Sequence, residues 1–317
     1  MISPTVLLTD NDLGDRELEA NWLREALGAE VVIANCRTDA DVVDAITTHQ
    51  PDAIVTQWAP ISSAAIAVAR GRCQVISRIG IGTDMIDEAA AAAAGIAVKN
   101  VPDYCLEEVA THAVTLALTL WRRIPHLHGE VLAGMWNAAA HAPHVDRLSQ
   151  ATIGLIGCGR IGGLVASAFA QWGTSVVVMD PAPHRDPYER VSLQELCARS
   201  DIISVHAPLN EATRHLIDAD ALARMVRQPV LVNTSRGAIV DTIAAAEAVN
   251  RGQLRGLGLD VFEVEPLPID HPLRTSMNTV LTPHAAWCSR DGLHDLRRGA
   301  IDNVVSTLSA SGPGRNV

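Results

Sequence analysis

Four side chains in the second half of the chain have the types and spacing for proton-coupled hydride chemistry: Arg236, Asp260, Glu265 and His284. Each lies at or just beyond the end of a short apolar run, the place where open α/β sheets put their ligands. An arginine grips a carboxylate or carbonyl bidentately, and an imidazole moves a proton. A carboxylate beside that imidazole favours its charged form and fixes the ring. Taken singly, each of these residues reads equally well as a surface ion pair or a satisfied histidine.

A second constellation supplies what the first lacks. In TIGLIGCGRIGG (residues 152–163) an apolar run ends in Gly157, Gly159 and Gly162. That G-x-G-x-x-G spacing turns a strand tightly into a helix while the backbone approaches a pyrophosphate. The spacing alone is weak, but its surroundings strengthen it. Residues 160–171 can continue as a helix, 175–179 form a β-branched run, and Asp180 closes that run where a dinucleotide site places an acid for the adenosine ribose.

The elements that must position these residues are legible as alternation. Apolar runs at 6–8, 31–34, 53–56, 75–79 and 97–98 are separated by helix-like segments, and the pattern resumes after the glycine turn with runs at 202–206, 230–233 and 256–261. Alternation of this kind implies right-handed βαβ units and parallel sheets covered on both faces. Between the two sets, Asp103 can cap a helix running to about Arg123, expected to act as a hinge. Gly80 and Gly82 follow the fourth run; there, backbone N–H groups can converge into a nest suited to a carboxylate, with Arg78 adding a bidentate partner, although a plain turn reads equally well. The acidic turn Asp10-Asn11-Asp12 lacks the spacing of an EF-hand and is expected to cap a helix.

Composition excludes several classes. With 317 residues and 48% hydrophobic content the chain can bury a large core, and its length suggests two domains. A net charge of −11 and the lack of a clustered basic face disfavour direct nucleic-acid binding. No stretch suits a membrane span or signal peptide, so a cytoplasmic protein is expected. The six cysteines (36, 73, 105, 158, 197, 288) form no C-x-x-C pair and are expected to be small core residues. His126, His128, His141 and His144 lie in a segment, 124–150, that reads as an extended arm; no carboxylate or cysteine stands out there at ligand spacing, and no metal is expected.

The ordered set RIGIGTDMID (78–87), GLIGCGRIGG (154–163), HAPLNEATRHLI (206–217), LVNTSRGAIVD (231–241), LDVFEVEPLP (259–268) and LTPHAAW (281–287) resembles the D-isomer-specific 2-hydroxyacid dehydrogenases over nearly the whole chain. The resemblance implies Arg236, Glu265 and His284 as catalytic arginine, glutamate and acid/base histidine. It also implies Gly157, Gly159, Arg160, Ile161 and Gly162 at the pyrophosphate, Asp180 at the ribose, Asp260 at the nicotinamide amide, and Pro208, Thr213 and Thr234 along the cofactor. Gly80 and Ile81 would bind the substrate carboxylate. Arg78 and Trp287 bring the chain nearest to the C-terminal-binding-protein branch, where the corresponding residues contact a 2-oxo acid; Trp287 is alternatively a core residue.

The architecture so implied is an α/β fold of two doubly wound parallel-sheet domains. A Rossmann NAD-binding domain (102–285) is inserted into a flavodoxin-like substrate domain (1–101, completed by 286–317), with the active site in the cleft. The expected activity is reduction of a 2-oxo acid to a D-2-hydroxy acid by NADH in a homodimer formed through the NAD-binding domain. Asp180 would repel a 2′-phosphate, which favours NAD over NADP, though His184 and Arg185 stand close. Val109-Ala110-Thr111-His112 departs from the Val-Ala-Glu-His common in the family. Glu265 stands where formate dehydrogenases carry Gln, and the regulatory extension of some phosphoglycerate dehydrogenases is not expected. An NAD(H)-sensing, corepressor-like binding protein is the alternative.

Overall fold

Runs of four or five β-branched and aliphatic residues alternate with alanine-rich helical stretches, and each run becomes a parallel strand. In the computed structural model, which describes residues 3–183 and 187–310, the chain divides into two units. Unit 1 comprises Met1–Cys105 and Ser289–Val317; unit 2 comprises Leu106–Cys288. In the first part of unit 1, β1 (Thr5–Leu8), α1 (Glu17–Leu27), β2 (Glu30–Ile33), α2 (Asp39–His49), β3 (Ala53–Thr56), α3 (Ser63–Ala69), β4 (Val75–Arg78), α4 (Glu88–Ala94) and β5 (Ala97–Lys99) follow one another. Unit 2 begins with α5 (Leu106–Trp121) and α6 (Ile124–Leu132). It continues with β6 (Thr152–Ile156), α7 (Arg160–Gln171), β7 (Ser175–Met179), β8 (Glu189–Arg190), α8 (Leu193–Arg199), β9 (Ile202–Val205), α9 (Ala219–Ala223), β10 (Val230–Asn233), α10 (Thr242–Asn250), β11 (Gly256–Leu259) and β12 (Thr279–Leu281). Finally α11 (Arg290–Ala310) belongs to unit 1.

Both sheets are wholly parallel. Unit 1 has the order β2-β1-β3-β4-β5, the flavodoxin-like arrangement, and unit 2 has β12-β11-β10-β9-β6-β7-β8, the Rossmann order with one strand added. In unit 2 the strand order reverses between β6 and β9, which puts the glycine turn after β6 at the switch point where such sheets bind ligands. Residues of β1, β3, β4, β9, β10 and β11 are buried throughout, as strands covered on both faces must be. The glycines of β11 serve packing: a Cβ at Gly256 or Gly258 would lie 3.0 or 3.1 Å from Leu120 or Leu116 of α5. The helix expected as a hinge thus lies close against the unit 2 sheet.

The C-terminal helix α11 buries Leu296, Ala300, Ile301 and Val304 in unit 1, and Ser77 Oγ donates to Ala300 O at 2.8 Å. Arg297 and Glu19 form a buried ion pair at 2.5 and 2.7 Å, so removing one partner alone costs about 3–5 kcal/mol.

Two expectations are corrected. Asp10 caps no helix: α1 has Arg16 at its N-cap, and Asp10, buried after β1, accepts the N–H groups of Gln57, Trp58 and Ala59 at 3.0, 2.6 and 3.2 Å. A buried carboxylate takes whatever donors surround it, and here the loop after β3 supplies them. Nor is the 124–150 arm extended; it folds as α6 and two 3-10 turns, Ala138–His144 and Leu148–Gln150. Pro125 sits in the first turn of α6, where its missing N–H costs nothing. Of the cysteines, 36, 73, 105 and 197 are buried, Cys158 is half-buried and Cys288 is exposed. Burial pushes the Cys73 thiol up to about 12 and Cys197 to about 11, so neither is a nucleophile at neutral pH. Among the described residues no helix is long and apolar enough to cross a membrane.

Candidate active site

Three residues that follow β11 and β12 build one knot in unit 2. Asp260 comes directly after β11 and is fully buried, so its carboxylate must find hydrogen-bond donors. Oδ1 accepts Thr282 Oγ at 2.5 Å and Ala285 N at 2.8 Å, and Oδ2 accepts Ala286 N at 2.9 Å. The loop after β12 is therefore wrapped around one carboxylate. His284 sits at its crest with φ 52°, held there by N–H donation to Asp260 O at 2.8 Å. Side chains rarely adopt that backbone conformation, and this bond helps to impose it.

His284 Nδ1 lies 2.7 Å from Glu265 Oε2, while Glu265 Oε1 accepts Phe262 N–H at 2.9 Å. Burial alone raises the Glu265 pKa. The His284 hydrogen bond and charge, the Phe262 N–H and the Arg236 charge outweigh it and hold the carboxyl below its ordinary value. One participant escaped the sequence reading. His112 Nε2 lies 3.0 Å from Thr282 Oγ, whose single proton goes to Asp260, so the imidazole is the donor. Its place in Val109-Ala110-Thr111-His112, where it matches the His of the common Val-Ala-Glu-His, was the available signal.

Arg236 follows β10 in a turn tied by Asn233, whose side chain donates to Arg236 O at 2.9 Å and accepts Ser235 N–H at 3.0 Å. Its guanidinium donates to Ser235 O at 2.9 Å. At Gly237 a Cβ would overlap the Phe262 carbonyl, so only glycine lets these two loops meet. Beside them, the Thr234 hydroxyl is buried without a hydrogen-bond partner, although such groups are normally satisfied.

The glycine turn fits a dinucleotide. Gly157 has φ 89°, which favours glycine, and a Cβ on Gly162 would run into the Gly157 carbonyl. Nothing lies within 4 Å of a Cβ on Gly159, which leaves room for phosphate before the N-terminus of α7, where Arg160 and Ile161 begin the helix. Asp180, after β7, accepts Cys158 N–H at 2.7 Å and Ala182 N–H at 2.8 Å, and Arg190 lies 3.8 Å away. The acid therefore also ties down the turn it was expected to complement. His184 and Arg185 lie outside the described residues. Pro208 and Thr213 close one loop after β9, the threonine hydroxyl donating to the proline carbonyl at 2.7 Å. Burial pushes His206, at the base of this loop, down to about 4, so it stays neutral.

In unit 1, Arg78 does not project from its loop. Its buried guanidinium stacks over Trp58 at 5.1 Å, donates to Ile79 O, and fills the space a Cβ on Gly80 would need. The expected nest is narrower than its sequence implies, because Gly80 N–H is spent on Arg78 O at 3.0 Å. Trp287 is half-buried in the turn after Ala286. In the histidine arm, the expectation that no carboxylate falls at ligand spacing is corrected: Glu130 stands one helical turn after His126 and contacts both His126 and His141.

Residues 114–286 match the family model of the D-isomer specific 2-hydroxyacid dehydrogenase, NAD binding domain. A glyoxylate reductase of Korarchaeum cryptofilum is 35% identical over 297 residues, covering 91% of this chain and 85% of its own. The D-3-phosphoglycerate dehydrogenase of Mycobacterium leprae is 37% identical over 240 residues, 74% of this chain and 45% of its own length. Among solved structures, the D-lactate dehydrogenase of Aquifex aeolicus complexed with NAD and lactic acid superposes with TM-score 0.84 at 27% identity over 96% of both chains.

Proposed function

We propose that this chain, which belongs to the D-isomer specific 2-hydroxyacid dehydrogenases and is an NAD-binding oxidoreductase, reduces a 2-oxo acid to a D-2-hydroxy acid with His284 as its acid/base. When bound, NADH supplies the hydride. The observation that carries the assignment is the 2.7 Å contact of His284 Nδ1 with Glu265, which turns Nε2 toward the work of proton transfer. Glu265, kept ionised, stabilises the imidazolium and fixes the ring. Arg236 engages the carbonyl and carboxylate of the substrate bidentately. Asp260 holds the loop that carries His284 and stands toward the nicotinamide amide. The orphan hydroxyl of Thr234 and the backbone of Gly157, Gly159, Arg160, Ile161 and Gly162 take the cofactor, with Pro208 and Thr213 alongside.

Asp180 accepts ribose hydroxyls and repels a 2′-phosphate, which favours NADH over NADPH. In unit 1 the Ile81 N–H recognises the substrate carboxylate, with Gly80 letting the backbone approach it and the buried Arg78 packed under the turn; with Trp287 these residues favour the C-terminal-binding-protein-like branch. Unit 1 is then the substrate-binding domain and unit 2 the NAD-binding domain. The glyoxylate reductase likeness favours a small 2-oxo acid. A cytoplasmic homodimer formed through unit 2 completes the proposal. The test is NADH oxidation against a panel of glyoxylate, hydroxypyruvate, phenylpyruvate and phosphorylated 2-oxo acids. Turnover of at least one is expected. Tight NADH binding with no turnover on any would replace the enzyme by an NAD(H) sensor.

A further inference from the structure

The arm that follows α5 carries a group of side chains that the reaction does not use. His126 and Glu130 lie four residues apart in α6, hence on one face. At Gly134, with φ 80°, the chain turns back and forms the 3-10 turn Ala138–His144. That return lays His141 on the same glutamate. His126 Nε2 is 3.2 Å from Glu130 Oε1, and His141 Nε2 is 2.6 Å from Glu130 Oε2. All three donor atoms lie within 4.8 Å of one another, and the two rings meet edge to face with centroids 5.4 Å apart. The side chains of His141 and Glu130 are 13% and 21% exposed and that of His126 is 42% exposed, so the group is sheltered on one side and open on the other.

We propose that His126, Glu130 and His141 form a binding site for a divalent ion of the zinc class. Two imidazoles and one carboxylate form a borderline donor set that suits zinc or cobalt better than the all-oxygen cations magnesium and calcium. Zinc bonds of about 2.0–2.2 Å in tetrahedral geometry place neighbouring donors roughly 3.3 Å apart. His126 and Glu130 already have that separation. His126 and His141 meet different oxygens of Glu130, and with the donor atoms within 4.8 Å of one another, gathering them around one ion needs movements of up to about 1.5 Å, within reach of a 3-10 turn at the surface. Three protein donors leave the fourth position, on the open side, for water. The bound ion ties the 3-10 turn to α6 and fixes the arm, a role separate from the chemistry at His284.

The test is titration of the full chain, stripped with chelator, with cobalt(II) as a spectroscopic stand-in. One equivalent should bind with the visible bands of a four-coordinate ion, and zinc should displace it. His126→Gln, Glu130→Gln and His141→Gln should each weaken cobalt binding by about 100-fold or more. His128→Gln, an exposed histidine of the same helix outside the group, should not. Circular dichroism verifies that each variant is folded, and zinc should protect the arm from limited proteolysis in the wild type but not in His141→Gln. Absence of a stoichiometric band overturns the proposal. So does a band that survives in both Glu130→Gln and His141→Gln, since the ion then sits elsewhere.

Discussion

Among the carboxylate–imidazole contacts of unit 2, Glu265–His284 at 2.7 Å and Glu130–His141 at 2.6 Å are nearly equal in length but differ in setting. What separates them is the second oxygen of each glutamate. In the first pair it accepts the Phe262 N–H, so the carboxylate serves one imidazole and remains its charge partner. In the second it faces another imidazole, His126. Backbone support differs too. His284 is held at positive φ by a loop wound on the buried Asp260, whereas His141 is carried by a 3-10 turn that returns over α6. On the two proposals, what fills the remaining lone pairs decides whether such a contact serves proton transfer or metal binding.

The largest effect is expected where the comparison is sharpest. His284→Ala should lower kcat by about 10²–10⁴-fold while NADH affinity, measured by fluorescence titration, changes only a few-fold. Less than a tenfold loss would remove the distinction between the two clusters. Arg236→Ala comes next. Losing a charge-assisted hydrogen bond to the substrate should lower kcat/KM by roughly 10–100-fold, chiefly through KM for the 2-oxo acid. An unchanged KM would place the guanidinium outside the substrate contact.

Support is the third difference. Asp260→Ala leaves the Ala285 and Ala286 N–H groups and the Thr282 hydroxyl without their acceptor, at about 1–3 kcal/mol for each donor that stays buried and unpaired. The urea midpoint should fall, and with it the fraction of chains holding His284 in place. Wild-type stability in this variant would mean that the loop has another anchor.

Much of this was legible in the sequence, for a physical reason. Central strands such as β9 and β10 are covered on both faces and so read as unbroken apolar runs. Edge strands lack that signature: β8 is the polar pair Glu189–Arg190 and β12 is only partly buried, and neither stood out as a run. The glycine turn and the residues at strand ends were visible because each is set by local geometry. Residues whose partners come from afar were not. Asp10 reads as a helix cap in sequence because Gln57, whose N–H it accepts, is 47 residues away. His112 meets Thr282 across 170 positions. Glu130 was overlooked because its meaning depends on a turn that returns His141 to it 11 residues later.

The smallest effect tests whether Glu265 acts by charge or only by position. Its carboxyl is held below the ordinary value, so it is ionised throughout the range in which an imidazole titrates. Reduction uses the protonated ring, and oxidation of the 2-hydroxy acid uses the neutral one. An anion beside the ring favours the charged imidazole that reduction consumes, so Glu265→Gln should lower kcat for reduction by roughly tenfold and slow oxidation less. Stability carries the matching sign. A carboxyl lowered in the folded state stabilises above its unfolded pKa, and that contribution is lost as pH falls through the folded value, so the gap between wild type and variant should close on acidification. Equal losses in both directions would reduce Glu265 to a positioning residue, and the contrast with Glu130 would then rest on geometry alone.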